Sequence, residues 1–413
     1  MSFAYRNGVL CAEQVPLDDI ARRFGTPCYV YPSAAIEAAY GEFARALQGR
    51  DALVCYSVKA NSNLAVLSLL ARLGAGFDIV SGGELARVIA AGGDPAKTVF
   101  SGVGKSTAEI ELALKAGIRC LNLESEAELE RVNLVAGKMG KRAPIALRVN
   151  PEVNAKTHAY ISTGLKTSKF GVPHRDAKRL YTRAARLPHV EVVGIGCHIG
   201  SQMLGAAPLA AAARRIALLA GQLAREGIRF RHIDIGGGIG IRQRNERVQP
   251  IGQFVRRCLQ ALGERPEALI VDPGRSIVGN AGALLTRVEH AKRAQRKRFL
   301  VVDAAMNDLL RPSLYGAWHE VVPVRKKGGK KAVYDVVGPI CESGDFLAKD
   351  RSLAAGAGDL LAILSAGAYG MAMSSNYNSR PRAAEVLVRG ARADLVRSRE
   401  SVEQLFALER VPG

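Results

Sequence analysis

Lys59 stands in the stretch LVCYSVKANSN (53–63), where a short run of apolar and β-branched residues gives way to turn-forming ones. An ammonium group therefore closes what reads as a buried strand. Lysine is a poor nucleophile near neutral pH unless desolvation or a neighbouring cation lowers its pKa. Alone, the position suits an exposed or salt-bridged loop lysine as well as one kept for condensation with a carbonyl compound. Two glycine turns shift that balance. DIGGGIG (234–240) follows one strand-like run and VDPGRS (271–276) ends the next. Glycine lets backbone N–H groups close around an anion. The rival lysines, Lys166 and Lys169 in HAYISTGLKTSKFGV (158–172), lie in a long polar connection that reads as a mobile loop over the site.

These residues need elements that aim them at one place. Apolar strand candidates fall at 52–58, 76–80, 98–101, 119–124, 144–150, 191–199, 231–236 and 268–274. Amphipathic helical patterns such as NLAVLSLLARLG and STAEIELALKAG lie between them. Regular alternation of this kind predicts a parallel sheet with crossover helices, and eight repeats predict a closed (β/α)8 TIM-like barrel. The barrel is assigned to residues 30–275. Its strand ends carry Lys59, the turn from Ser81 to Glu84, Arg148, the run His198 to Gln202, Gly236 to Gly238, and Asp272 to Arg275. After about residue 275 short strands follow one another with little helix between them. Residues 276–413, together with 1–29, are therefore assigned to a mostly antiparallel β-sandwich or barrel domain.

Composition narrows the class. The 413 residues are 48% hydrophobic and 23% charged with a mean hydropathy of +0.03, as in a well-packed globular protein. The formal charge is +20, but the basic runs AKRAQRKR (291–298) and RKKGGKK (325–331) lack interleaved aromatics and read as solvated hairpin turns. No nucleic-acid partner is expected. The longest apolar stretch (204–224) is broken by Arg214 and Arg215, so no membrane span is expected either. Seven scattered cysteines form no CxxC or Cys/His metal spacing, and the N-terminus lacks a secretory pattern. These features predict a cytoplasmic chain without a metal.

In phosphate-binding barrels the anion site is built from the loops after strands seven and eight, where GGG and DPGR fall. A phosphate there and an amine at Lys59 suit pyridoxal 5'-phosphate held as a Schiff base, with Asp272 as the candidate partner of its pyridinium nitrogen. YSVKAN, HIGSQ, GGG, PGRS, NDLLRPSLYGAWH, CESGDFLAKDR and GAYGMAMSSNYNSRP together resemble the group III pyridoxal-phosphate decarboxylases, and within them the diaminopimelate decarboxylase family, over nearly the whole chain. The resemblance makes Lys59 the Schiff-base residue and sets His198 against the cofactor ring. It gives Ser201, Gly238, the turn through Gly274 and Arg275, and Tyr369 to the phosphate, with Arg148 also at the cofactor. Asp272 replaces the longer glutamate of many members. Arg275, Arg311, Tyr315, Glu342 and Tyr369 are implied to bind substrate, and Cys341 to donate a proton near Cα. The implied reaction is decarboxylation of meso-2,6-diaminopimelate to L-lysine and carbon dioxide by a homodimer whose partner subunit supplies CESGD. The alternative weighed is a decarboxylase of ornithine or arginine on the same scaffold.

Overall fold

A computed structural model describes residues 3–154, 169–295 and 297–413. The chain separates into two compact units, one of residues 39–241 and 247–276, the other of 1–38, 242–246 and 277–413.

The first unit is a closed parallel barrel. Its strands are β1 (Ala52–Ser57), β2 (Gly76–Ile79), β3 (Thr98–Phe100), β4 (Cys120–Leu123), β5 (Ala143–Asn150), β6 (Val190–Gly196), β7 (His232–Asp234) and β8 (Ala268–Val271). Each pairs in parallel with the next, and β8 pairs with β1 through Leu269 and Ala52, so no strand edge is left open. Cys55, Val99, Cys120, Ala146, Val193 and Ile270 fill the lumen with small and branched side chains. Gly194 on β6 makes room for a neighbour: a Cβ there would stand 2.2 Å from Nε2 of the buried His232.

The first four crossover helices begin where short polar residues cap them. Asn63 accepts from the Ala65 amide before α1 (Leu64–Arg72), and Ser81 from the Glu84 amide before α2 (Gly82–Ala90). Ser106 and Glu109 form a capping box on α3 (Thr107–Ala116), and Ser125 caps α4 (Glu126–Lys138). A buried Lys105–Glu128 pair at 2.9 Å braces the β3 and β4 connections. Later come α5 (His174–Ala184), α6 (Ala207–Arg225) and α7 (Ile251–Leu262). Among the described residues no helix is long and apolar enough to cross a membrane.

The second unit is built on a mixed, mostly antiparallel sheet. The long strand β9 (Ala283–Ala294) pairs antiparallel with β10 (Lys297–Val302), and also with the N-terminal strand Cys28–Pro32. Two pairings are parallel: β10 with β11 (Ala332–Val337), and the N-terminal strand with β12 (Ala384–Arg389). Leu10, Leu17, Ile20, Val30, Leu285, Ala362, Val386 and Val388 share its core, so the first residues of the chain pack with the last.

Candidate active site

Lys59 sits on a single 3-10 turn, Val58–Ala60, that directly continues β1. Its Nζ lies 3.1 Å from Oδ2 of Asp78, whose side chain is 1% exposed, while Lys59 keeps about a third of its own surface. Adjacent strands produce this pair, because Ser57 is the register partner of Asp78. Ser101 Oγ donates to the other Asp78 oxygen at 2.6 Å, and Asn122 Nδ2 donates to Ser101 at 3.1 Å. Burial alone would raise the Asp78 carboxyl. The Lys59 charge, the bonds from Ser101 and Lys59, and the His198 charge outweigh it and hold the group below the usual carboxylate range. Asp78 is thus an ionised counter-charge for the amine. Nothing in GFDIV marks it except an acid inside an apolar strand.

The turns after β6, β7 and β8 pack backbone on backbone. Gly236 and Gly238 have φ of 77° and 79°. A Cβ on Gly238 would stand 2.0 Å from the Gly200 carbonyl oxygen, and one on Gly237 2.3 Å from that of Asp272. A Cβ on Gly274 would meet Ser57 Cβ at 2.9 Å. Beside these turns Arg275 donates from Nε and Nη2 to Ser201 Oγ, at 3.2 and 3.1 Å. Buried guanidinium, hydroxyl and glycine amides together make an anion cradle.

His198 and Asp272, read from sequence as separate contacts to a cofactor, are also partners of each other. His198 Nδ1 lies 3.2 and 3.4 Å from the two Asp272 oxygens. An ionised carboxylate only accepts, so Nδ1 carries the hydrogen. Arg148 supports the same loop from below: Nη2 donates to the His198 carbonyl at 3.2 Å, and Nη1 pairs with Glu124 at 3.0 Å. Glu124 also accepts from the Gly171 amide at 2.7 Å, and the Arg148 guanidinium stacks 4.8 Å from the centre of Phe170. Sequence reasoning named Arg148 but missed Glu124. It also missed Asp234, a fully buried acid that accepts from the Gly236 amide at 2.8 Å. Burial raises the Asp234 carboxyl well above the usual range, and the neighbouring Asp272 and Asp78 charges raise it further. Lys166 lies outside the described residues. Lys169 places its Nζ 5.3 Å from the Phe170 ring centre.

The remaining candidates belong to the second unit. Arg311 opens the short helix α8 (Arg311–Tyr315); it is buried, and its Nη1 lies 3.0 Å from His319 Nε2. The turn carrying Cys341 and Glu342 is fixed by Asp345, which accepts from the Ile340 amide at 2.8 Å and the Met306 amide at 2.7 Å. Ser313 Oγ on α8 donates to the Gly344 carbonyl at 2.6 Å, tying that turn to the helix. Cys341 is exposed, whereas the six other cysteines are buried. Glu342 accepts from the Tyr377 hydroxyl. Tyr369 adopts φ of 57°, a left-handed backbone that costs a bulky residue of order 1–3 kcal/mol.

Residues 33–279 match the family model of the pyridoxal-dependent decarboxylase, pyridoxal binding domain. The chain is 57% identical over 408 residues to a diaminopimelate decarboxylase of Pseudomonas aeruginosa, covering 99% of this chain and 98% of that protein. The chain belongs to the diaminopimelate decarboxylase family. A diaminopimelate decarboxylase of Vibrio cholerae is 53% identical over 406 residues, 98% of this chain and 97% of that one. Among solved structures, the diaminopimelate decarboxylase of Helicobacter pylori complexed with L-lysine aligns with a TM-score of 0.92 at 43% identity, covering 95% and 99% of the two chains. That of M. jannaschii, in co-complex with L-lysine, gives 0.95 at 36% identity over 100% and 98%. The cofactor of the family is pyridoxal phosphate, and the barrel residues fit it. The glycine cradle excludes any side chain where phosphate oxygens need amides, and an amine, an acid and an imidazole stand at the strand ends around it.

Proposed function

We propose that the chain decarboxylates meso-2,6-diaminopimelate to L-lysine and carbon dioxide, the last step of lysine biosynthesis. The observation that carries this reading is Lys59 held on buried Asp78 at the mouth of a barrel whose neighbouring turns form an anion cradle. Bound there, pyridoxal phosphate supplies a ring that withdraws the electron pair left when the bond from Cα to its carboxylate breaks. Gly238, Ser201, the turn through Gly274 and Arg275, and Tyr369 would hold the phosphate. Asp272 would keep the pyridine nitrogen protonated, with His198 packed on the ring and Arg148 bracing the His198 backbone. Lys59 supplies the amine that attaches the cofactor.

The substrate roles come from the family resemblance. Arg311 and Arg275 present planar forks for the distal carboxylate, Tyr315 adds a hydrogen bond and Glu342 takes the distal ammonium. Cys341 delivers the proton that replaces the lost carboxylate at Cα. Ornithine and arginine have no distal carboxylate and give a buried Arg311 nothing to bind. The exposure of Cys341 and Glu342 in the single chain supports a homodimer in which this turn serves the partner's site. Seven unbridged thiols suit the reducing cytoplasm.

The test is product formation with pyridoxal phosphate and, separately, meso-diaminopimelate, LL-diaminopimelate, ornithine and arginine. Lysine and carbon dioxide are expected from the meso isomer alone. Absence of lysine from that isomer sinks the proposal. Borohydride reduction followed by peptide mapping should label Lys59 and no other residue.

A further inference from the structure

His319 is wholly buried, and both of its ring nitrogens are committed. Nε2 lies 3.0 Å from Arg311 Nη1, and Nδ1 lies 2.9 Å from the carbonyl oxygen of Leu364, the last residue of the strand Leu360–Leu364. A guanidinium has five N–H donors and no acceptor. Nε2 must therefore accept, and a carbonyl can only accept from Nδ1. The two contacts fix one tautomer of a neutral imidazole: hydrogen on Nδ1, lone pair on Nε2 aimed at Arg311.

The backbone around the ring is equally fixed. The Gly316 amide caps α8 by donating to the Arg311 carbonyl, with Gly316 at φ of 60°, and the chain doubles back so that residue 319 faces residue 311. The Leu364 amide donates to the Glu320 carbonyl at 2.8 Å, and Arg351 Nη2 donates to the His319 carbonyl at 3.0 Å. The imidazole is thus a rigid link from the end of the strand Leu360–Leu364 to one nitrogen of a buried guanidinium.

We infer that His319 is a positioning residue for substrate selection, acting through Arg311: it sets the rotation of the guanidinium fork that receives the distal carboxylate. This rests on the reading of Arg311 given above. A carboxylate meets a guanidinium edge-on through two parallel N–H bonds, so the plane of the fork decides whether one bond or both can form. An arginine without this acceptor keeps its charge but loses its fixed plane. The cost falls on binding the second amino-acid head rather than on the chemistry at Cα.

The test is steady-state kinetics on meso-diaminopimelate with H319A, H319Q, R311A and the double variant R311A/H319A. Each is first shown to bind pyridoxal phosphate by its visible absorbance and to melt cooperatively. H319A should raise KM about tenfold or more and change kcat by less than about threefold, because a buried donor loses its acceptor. H319Q, whose amide oxygen can accept from Arg311, should recover most of that loss. The double variant should be no worse than R311A, since both changes remove one fork. H319M keeps the volume without a comparable acceptor and replaces H319A if the cavity prevents folding. A native KM in H319A or H319M, or losses that multiply in the double variant, overturns the inference. An unchanged KM in R311A overturns the reading of Arg311 itself.

Discussion

At the scale of single residues, the site divides into positions whose chemistry is needed and positions whose lack of a side chain is needed. In the proposed reaction Lys59, Asp272 and Cys341 are of the first kind. Gly238 is of the second, with 2.0 Å between its would-be Cβ and the Gly200 oxygen. Gly238→Ala is expected to keep the barrel, because the clash is confined to the packed turns through Gly200 and Gly238 at its mouth, but to weaken cofactor affinity by on the order of a hundredfold as those turns move apart. Fluorescence titration with pyridoxal phosphate reads this directly, and native affinity would show that the turn does not cradle phosphate. Lys59, Asp272 and Arg275 stood out as candidates in the sequence because they lie at strand ends, where polarity interrupts an apolar run, whereas Cys341 was named only through the family resemblance. Asp78, Glu124 and Asp234 were not, because each looks like an irregularity until its partner is known. Two of the partners lie on a neighbouring strand, Lys59 for Asp78 and Arg148 on β5 for Glu124, while Asp234 takes up the Gly236 amide of the turn that follows its own strand.

At the scale of elements, the alternation of strand and helix made the barrel readable, since each strand buried on both faces is a short apolar run bounded by turn residues. The sheet of the second unit was less readable. Phe346–Leu353 carries Lys349, Asp350 and Arg351 through its middle and shows no clean alternation, so its residues do not read as a strand. The parallel pairing of β10 with β11 has no local signature, because it joins strands separated by a long connection. β7 carries a liability of its own. The His232 imidazole is pushed down to about 4 from 6.5, by burial first and then by Arg119 and Arg231. Its Nε2 has no hydrogen-bond partner among the described residues. A depressed folded pKa means that the unfolded chain binds the proton first. The stability tied to neutral His232 is therefore complete above about pH 6.5 and lost as pH falls toward 4. His232→Leu should flatten the acid limb of the urea midpoint over that window, by up to roughly 3 kcal/mol across it. Parallel curves for the two proteins would refute the assignment.

At the scale of the whole molecule, the proposed dimer makes a prediction that no single chain can meet. K59A lacks the attachment point and C341A lacks the proposed proton donor, so each homodimer should be nearly inactive. If a site takes Lys59 from one subunit and Cys341 from the other, mixing the two variants in equal amounts forms hybrids with one intact site. Random pairing should then restore about a quarter of native activity. Recovery no greater than the sum of the separate variants would mean that each chain completes its own site. The Lys59–Asp78 pair has a further consequence for the chain before it meets its cofactor. An amine held as an ammonium has no lone pair to offer, so small aldehydes of metabolism find no nucleophile there. Asp78 is then expected to act as a safety catch: stray carbonyls should be turned away, while a ligand whose phosphate is already gripped stays long enough for the proton to leave. Apo D78N should accordingly accumulate adducts with non-phosphorylated pyridoxal faster than the native apo chain, as mass spectrometry would record.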